Sequence, residues 1–253
     1  MIGQKYGGNI VKNIPLNESE KKILCSDLYE YFFQKVNKDE LLKLEGLESF
    51  SLFVLKKETS TSIAVLGNGL NLELGDSLQV ENSPVNLQIT GGYADFLVVG
   101  SNLENPAKNE SISHQLQKEV YKVNKPWGYE LWISGQHPTY AFKEIFIKAG
   151  SRTSLQFHDK KKETNLLVSG RAKLHYTASL KTDDIETILG EVSEVDLEPT
   201  CLIDVKPGNI HRIQAITDII LYEASTPHLD DVTRLADDNK RPDGRIKEEH
   251  PSL

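Results

Sequence analysis

The sequence predicts an all-β protein with two strand-rich halves, and three observations lead to that prediction. From about residue 49 onward, apolar and polar residues alternate in short runs, as they do in half-buried β-strands. Gly, Asn, Ser and Pro separate these runs, which is typical of the turns of a sandwich or small barrel. The chain of 253 residues is long enough for one large domain or two small ones.

A helical pattern precedes the strands, over residues 17–45. Asn17 and Glu20 have the spacing of a capping box, and apolar residues follow at helical intervals. Asn37 and Glu40 repeat the signal, so we expect a short second helix after the first.

Strand patterns then fill both halves of the chain. We expect residues 1–110 to form a helical segment plus a β domain, and residues 120–253 to form a second β domain with a C-terminal tail. The polar residues 101–119 between them are expected to be a linker, and the charged tail to hold at most one short helix near 229–237. The predicted strands are SFSLFVLKK, STSIAVLG, LNLELG, SLQVE, VNLQIT, ADFLVVG, YKVNKPWGYELWI, YAFKEIFIKAG, TSLQFH, TNLLVSG, AKLHYTA, CLIDVKPG, HRIQAI and IILYEAS.

The two halves resemble each other in pattern. Residues 76–101 and 201–225 each contain a strand, a Pro-containing turn, a second strand, a short loop and a strongly apolar strand. In that register Asn86 falls where His211 falls. The comparison suggests two related barrels, of which the second kept metal-ligating residues.

Composition narrows the class of protein. The formal net charge is −8 and there is no long basic run, which argues against nucleic acid or an anionic membrane as the main partner. We expect a cytoplasmic protein, since the start lacks the apolar core of a signal peptide and no run of about 18 apolar residues occurs. Cys25 and Cys201 lie far apart, and we expect both to be reduced, buried thiols.

A group of potential metal ligands lies in the second half. Gln156 and His158 are two apart on a predicted strand, so their side chains share a face. We expect the next four residues to form a hairpin turn that brings Glu163 back beside them, and Gly170 to end the returning strand. His211 follows a Pro-Gly turn on another strand. Two imidazoles, a carboxylate and an amide oxygen suit one divalent ion such as Zn, Mn, Fe or Ni.

This spacing resembles the first motif of the cupins. Gly150 is followed by five residues, then Gln156, one residue, His158, four residues, Glu163, six residues and Gly170. The resemblance covers residues 120–245, with His211 as the histidine of the second cupin motif. It implies a double-stranded β-helix, or jelly-roll barrel, and suggests a bicupin with a degenerate N-terminal barrel. Because cupins commonly pair their barrels, it also implies a homodimer, or a monomer with an internal pseudo-dimer.

Within the cupins, the Q-x-H variant, the upstream KPWGYE and the downstream LDDVTRL are similar to type II mannose-6-phosphate isomerases. That similarity implies metal ligation by Gln156, His158, Glu163 and His211, and an active-site role for Arg234. The sequence departs from the family in three respects. The residues after His158 are Asp-Lys-Lys-Lys where the family is rich in His, a Thr follows Glu163 where His is frequent, and we expect no nucleotidyltransferase domain within these 253 residues.

Four further residues are candidates for the site. Lys143 shares a predicted strand face with two isoleucines, so we expect it to point into the barrel as a catalytic or substrate-binding group. Lys160, in a run of three lysines, would attract a phosphate, although such a run commonly forms a solvated turn. Arg234 would contact a phosphate or sugar, or else pair with Asp230 on a short helix. Tyr129 is a candidate for substrate binding.

The leading functional hypothesis is a metal-dependent isomerase that interconverts an aldose and a ketose, either as sugars or as sugar phosphates. Glu163 or Lys143 would act as the base. A second hypothesis is a cupin that binds a sugar or small acid without turning it over. A third is a metal-dependent oxygenase, which usually uses three His and a Glu, or two His and a carboxylate, so that Gln156 counts against it.

Overall fold

A computed structural model describes residues 10–16, 21–101, 109–177 and 184–246, which form two compact units. The N-terminal unit comprises the described residues within Pro15–Tyr121 and Trp132–Lys143. The C-terminal unit comprises those within Met1–Ile14, Lys122–Leu131 and Glu144–Leu253.

The described residues are almost entirely strands and turns. In chain order the elements are β1 Val11–Asn13, β2 Lys22–Cys25, β3 Glu30–Val36, β4 Leu41–Leu44, β5 Ser49–Lys57, β6 Ser62–Val65, β7 Leu70–Leu72, β8 Ser77–Glu81, β9 Val85–Thr90, β10 Ala94–Ser101, β11 Ser111–Gln115, a 3-10 turn at Gln117–Glu119, β12 Tyr121–Lys125, β13 Gly128–Ser134, β14 Ala141–Ile147, β15 Leu155–Phe157, β16 Glu163–Ser169, β17 Ala172–Thr177, helix α1 Ile185–Glu191, β18 Ser193–Leu197, β19 Cys201–Val205, β20 Ile210–Ala215, β21 Ile219–Ser225 and β22 Thr233–Ala236.

The N-terminal unit is a sandwich of two antiparallel sheets. One sheet has the order β11-β8-β5-β10-β3-β2, and the other has the order β4-β9-β6-β7. Its core consists of apolar residues from both sheets, among them Leu52, Ile63 and Leu87, which are completely buried. Asn86 alternates with core residues on β9 and therefore faces away from this core, so the register that aligned it with His211 was wrong.

The C-terminal unit is also built from two sheets. The larger has the order β1-β19-β16-β21-β14-β13-β12, and the smaller has the order β18-β17-β20-β15-β22. Their apolar core includes Leu167 and Leu221 from the larger sheet and Leu174 and Ile213 from the smaller. Alternate residues of a strand point to opposite faces, so each of these strands turns one of its two faces to this core.

The helix predicted over residues 17–45 was wrong for the part that the structure describes, since β2, β3 and β4 occupy residues 22–44. On β3 three consecutive residues are buried, which removes the alternation that identifies a strand. Asn37 and Glu40 do interact, because the Asn37 backbone N–H donates to Glu40 Oε2 at 2.8 Å, but they close a turn between strands. Asn17 and Glu20 lie outside the described residues.

The structure differs from the sequence-based expectations at three other places. Part of the predicted linker is strand β11, which pairs with β8. Residues 233–236 are strand β22 where a short helix was expected. Helix α1 was not predicted, and Asp184 caps it by accepting a hydrogen bond from the Thr187 backbone N–H at 3.0 Å.

The strands with clear alternation were predicted correctly, including β5, β8, β9 and β21, whose observed bounds equal the predicted ones. Cys25 and Cys201 are buried free thiols, and burial raises the pKa of Cys201 to about 11. Among the described residues, no helix has the length and apolar character needed to cross a membrane.

Candidate metal centre

Three predicted ligands converge inside the C-terminal unit. His158, Glu163 and His211 are all buried, and one ligand atom from each lies within 4.8 Å of the others. Nε2 of His158 is 3.1 Å from Oε1 of Glu163, and Nε2 of His211 is 3.4 Å from Oε2 of the same carboxylate. The carboxylate of Glu163 therefore lies between two imidazoles.

Strand register places these ligands. Gln156 on β15 is directly opposite His211 on β20 and, on its other side, opposite Arg234 on β22, so the three side chains share one face of the smaller sheet. Glu163 begins β16 in the larger sheet, between β19 and β21. The ligands therefore come from both sheets. The turn between His158 and Glu163 crosses from one sheet to the other, so the predicted hairpin was wrong.

Two glycines near the ligands, Gly208 and Gly170, adopt a backbone conformation that favours glycine. Gly208, in the Pro-Gly turn before β20, has a φ of +79°, and its N–H donates to the His158 carbonyl at 2.7 Å. This bond joins the segments that carry the two histidines. Gly170 has a φ of +80°, and a Cβ there would lie 2.0 Å from the Asp218 carbonyl oxygen. The sequence therefore needs glycine at the end of β16, as predicted.

Both imidazoles are oriented with Nε2 toward Glu163. Nδ1 of His158 contacts the Asp231 carbonyl, and Nδ1 of His211 lies 3.2 Å from the Asn209 carbonyl. A carbonyl oxygen only accepts, so each Nδ1 carries the proton, and in a neutral ring Nε2 then bears a lone pair. Nε2 of His158 is buried and has no hydrogen-bond partner among the described residues, although Glu163 is adjacent.

This arrangement fits a divalent cation. Two lone pairs that face one carboxylate repel it unless a positive charge lies among them. Histidines that bind metals almost always donate their other N–H to a carbonyl or carboxylate, as both do here. Two imidazole nitrogens and a carboxylate oxygen are suitable donors for Zn, Mn, Fe or Ni.

Gln156, the fourth predicted ligand, is held by a neighbour on its own segment. The buried hydroxyl of Ser154 donates to Gln156 Oε1 at 2.6 Å. An amide oxygen has two lone pairs, so this bond orients the oxygen and leaves one lone pair for a second partner.

A buried lysine, which the sequence analysis did not select, lies against Glu163. Nζ of Lys161 is 2.5 Å from Oε1 of Glu163 and 2.9 Å from Oε1 of Glu223, with the lysine side chain 5% exposed. Burial alone would lower the pKa of Lys161, but the two carboxylates outweigh it and raise the pKa above the usual value. Burial would likewise raise the pKa of Glu163, yet the ammonium of Lys161 holds it well below its usual range.

The contact with Lys161 divides the two oxygens of Glu163 between two tasks. Oε1 accepts from the ammonium, whereas Oε2 faces His211. Oε1 also lies 3.1 Å from Nε2 of His158, so Oε2 is the oxygen that the lysine leaves unengaged. The expectation that the lysines of this turn are solvated was wrong for Lys161 and Lys162, which are both buried.

Asp231 fixes the turn between His158 and Glu163. Its carboxylate accepts the backbone N–H groups of Asp159, Lys160 and Lys161 at 3.1, 2.6 and 2.8 Å. Burial tends to raise the pKa of Asp231, but these three bonds outweigh it and lower the pKa. Since the Asp231 carbonyl also accepts from His158, one residue supports both a ligand and the turn after it.

The structure places the remaining candidates outside this cluster of atoms. Lys143 is buried with Nζ 4.5 Å from the Trp132 ring centre, and both residues belong to the N-terminal unit. Lys160 is exposed, and its described bond is made by the backbone. Tyr129 donates weakly to Glu144 at 3.5 Å, and Tyr222 donates to the same carboxyl at 2.8 Å.

Arg234 is partly buried and engages the C-terminal tail. Its guanidinium donates to the carbonyls of Pro242 and Gly244, the latter at 2.9 Å. The helical pairing of Arg234 with Asp230 was wrong, because Asp230 instead accepts from Arg245 at 2.6 Å.

The residues that sequence reasoning missed had weak signals. Glu223 is the one acidic residue within the apolar strand β21, where it lies two residues after Leu221 and therefore shares the face that Leu221 turns to the core. Lys161 is two residues before Glu163, which puts both on one side of an extended chain. Their contact depends on how the strands assemble, and composition does not reveal it.

The comparisons with known proteins support the fold. No family model matches the chain, and no curated protein matches it. Among solved structures, oxalate decarboxylase from Lactobacillus farciminis, in a formate complex, matches with a TM-score of 0.64 and 12% identity over 92% of this chain and 90% of that one. The vicilin of hazelnut, Corylus avellana, matches with a TM-score of 0.63 and 10% identity over 90% and 89%.

A quercetin 2,3-dioxygenase from Acinetobacter baumannii matches with a TM-score of 0.54 and 10% identity over 78% of this chain and 73% of that one. These are cupin-fold proteins, so the predicted cupin fold is confirmed. Identities this low show the fold alone. They lend no support to the finer similarity with mannose-6-phosphate isomerases.

Proposed function

We propose that this chain is a metal-dependent cupin whose C-terminal barrel holds one divalent ion through His158, Glu163 and His211, with Gln156 as the fourth ligand. The observation that carries the proposal is the orientation of the two imidazoles. Each commits Nδ1 to a backbone carbonyl and turns Nε2 toward the same buried carboxylate. Zn, Mn, Fe and Ni all suit this donor set.

When bound, such an ion supplies Lewis-acid polarisation of a substrate oxygen. The chain's own residues do the rest. Lys161 holds one oxygen of Glu163 and leaves the other facing His211. Burial of the cluster keeps water away and strengthens electrostatic contacts with a bound molecule.

For the reaction, we propose aldose–ketose isomerisation of a sugar or sugar phosphate, on the basis of the similarity to type II mannose-6-phosphate isomerases. Glu163, Lys143 and Arg234 remain the proposed catalytic residues, and Arg234, Lys160 and Tyr129 the proposed substrate contacts. The lowered pKa of Glu163 makes it a weak base. Proton transfer therefore requires another group, and Glu223 joins Lys143 as a candidate.

The organisation of the chain belongs to the same proposal. Residues 1–110 would form a degenerate cupin-like domain and residues 120–253 the metal-binding one. The apolar core of the N-terminal unit supports this, because His158, Glu163 and His211 are the one metal-ligand group found among the described residues. A small-molecule ligand, a homodimer or an internal pseudo-dimer, and a cytoplasmic location stay predictions.

The first test is metal content by mass spectrometry on untagged protein. Wild type is expected to carry close to one ion per chain, and His158→Ala and His211→Ala are each expected to lose it. His175→Ala is the matched control, since His175 lies on the adjacent strand in register with Arg212 and its Nε2 bonds to Gln214 at 2.9 Å. Metal retained in both ligand variants, or a wild type that refuses all four ions, would contradict the proposal.

The second test is turnover by the metal-loaded protein with a panel of aldose–ketose pairs, both free and phosphorylated. Interconversion of one pair that His211→Ala does not catalyse would support the isomerase. If ligands raise the melting temperature without any product, a binding cupin for sugars or small acids replaces the isomerase proposal. Oxygen uptake with a bound candidate substrate would instead support an oxygenase.

A further inference from the structure

The buried ammonium of Lys161 has one N–H group more than the acceptors that surround it among the described residues. An ammonium carries three N–H donors, and this one donates to Glu163 Oε1 at 2.5 Å and to Glu223 Oε1 at 2.9 Å. Within the described part of the chain, these two carboxylates are its hydrogen-bond acceptors, and the side chain is 5% exposed. A buried donor without an acceptor is unfavourable, so the third N–H calls for a partner from outside the chain.

Such a partner would lie at the candidate metal centre. Nζ of Lys161 contacts the same oxygen of Glu163 that lies 3.1 Å from Nε2 of His158. An acceptor within about 3 Å of Nζ is therefore a neighbour of the proposed ligands. A charged donor favours an anionic oxygen over a neutral one, because charge-assisted hydrogen bonds are about twice as strong.

We propose that Lys161 is a substrate-binding residue that donates to an anionic oxygen, so that the site takes a small carboxylate or a hydroxy acid rather than a neutral sugar. This inference rests on the proposed location of the site and not on the proposed isomerisation, and it favours the small acid of the binding alternative over a sugar as the ligand. Glu223 is then a positioning residue, because its Oε1 accepts a second hydrogen bond from the same ammonium, at 2.9 Å.

The test removes the Lys161 donor while keeping the net charge of the site unchanged. In Lys161→Met with Glu223→Gln, one positive and one negative charge are lost together, so the net charge is unchanged and Glu163 is the one carboxylate partner of Lys161 that stays charged. The matched control is Lys173→Met with Glu194→Gln, which deletes an exposed pair of the same unit with an Nζ–Oε2 distance of 2.8 Å. Lys161→Arg keeps a cationic donor and should retain part of the binding.

The measurement is the affinity for glycolate and for acetate by calorimetry, with mannose as the neutral probe, on protein of known metal content. We expect the acids to bind wild type and the control equally. The Lys161→Met, Glu223→Gln protein should bind them at least about tenfold more weakly at unchanged metal content. The proposed contact is made by Lys161 and not by the metal. The acid affinities of wild type and the Lys161→Met, Glu223→Gln protein are therefore also compared on metal-free protein.

Two outcomes would overturn the inference about Lys161 and leave the proposed metal centre unaffected. Equal acid affinity in wild type and the double variant would mean that the third N–H holds a water molecule only. Binding of mannose with no binding of either acid would assign the site to neutral sugars. In contrast, a wild type that binds no metal but still binds glycolate through Lys161 would overturn the metal proposal and leave this inference standing.

Discussion

Replacing Asp231 with Ala should destabilise the protein and disturb the candidate metal centre together. The carboxylate accepts three backbone N–H groups, at 3.1, 2.6 and 2.8 Å, and Ala leaves all three without that acceptor. Hydrogen bonds to a charged group contribute about 1.5–3 kcal/mol each, but water can reach this turn and the contributions are not additive. We therefore expect a loss of about 2–4 kcal/mol in the free energy of unfolding.

The assay is urea unfolding at neutral pH, followed by tryptophan fluorescence and circular dichroism, with metal titration on the same proteins. Asp230→Ala is the matched control, because the adjacent Asp230 side chain is 72% exposed and pairs with Arg245. That change should cost less than about 1 kcal/mol. The metal affinity should fall in Asp231→Ala alone, since the turn that its carboxylate holds joins His158 to Glu163.

The hydrogen bonds of the Asp231 carboxylate also predict how the free energy of unfolding depends on pH. The three backbone bonds lower the pKa of Asp231, so its contribution is present above the unfolded pKa near about 3.9 and is lost as the pH falls through the lower folded value. Wild type should lose more stability than Asp231→Ala when the pH is taken from 5 toward about 2. If Asp231→Ala is as stable as Asp230→Ala at neutral pH, the reasoning is refuted.

Three other measurements test the structure. Gly170→Ala should cost several kcal/mol in unfolding free energy, because its Cβ would meet a carbonyl at 2.0 Å, whereas Gly150→Ala, with a similar φ and open space, should cost about 1 kcal/mol. Burial raises the pKa of Glu144, so stability should fall as the pH rises from about 4.3 through that raised pKa, and Glu144→Gln should flatten the profile of unfolding free energy against pH. The metal should also stabilise the fold. Protein with the ion at a hundredfold excess over its dissociation constant should have an unfolding free energy about 2.7 kcal/mol higher than the same protein treated with a chelator. An unfolding free energy that the chelator leaves unchanged would contradict a bound ion.

Most strands could be predicted from the sequence because each buries one face. On β9, for example, Val85, Leu87 and Ile89 are buried and the residues between them are not. The prediction failed where this asymmetry is missing. On β3, Tyr31, Phe32 and Phe33 are all buried, so the apolar run matched a helical spacing equally well.

Polar edge strands were missed for the opposite reason. In β11 and β22 no residue is fully buried, so the apolar face of each strand is too short for its sequence to reveal. Partly buried side chains such as Ile112 and Leu235 pack against apolar clusters, and the strands pair with β8 and β15, which are distant in the chain. Such pairings depend on the assembled sheet rather than on local composition.

The three candidate ligands are placed in two different ways, which explains how much of the site could be predicted. His211 and Glu163 lie on strands whose alternation fixes the direction of their side chains, so spacing alone identified them. His158 lies just beyond β15, and its ring is held by the Asp231 carbonyl, far along the chain. Spacing could find this histidine but not its support.

The same distinction applies to the charges at the site. Lys161 appeared to belong to a solvated run of lysines, because its neighbours in the sequence are polar. Its partners in space are Glu163, two residues away, and Glu223, which lies 62 residues further along the chain on β21, the strand that pairs with β16 in the larger sheet. A buried cation is stable only with such partners, so the fold determines that this lysine, rather than Lys160, faces the candidate ligands. A sequence motif can therefore locate a metal site, whereas the groups that would select its ligand emerge from the packing around it.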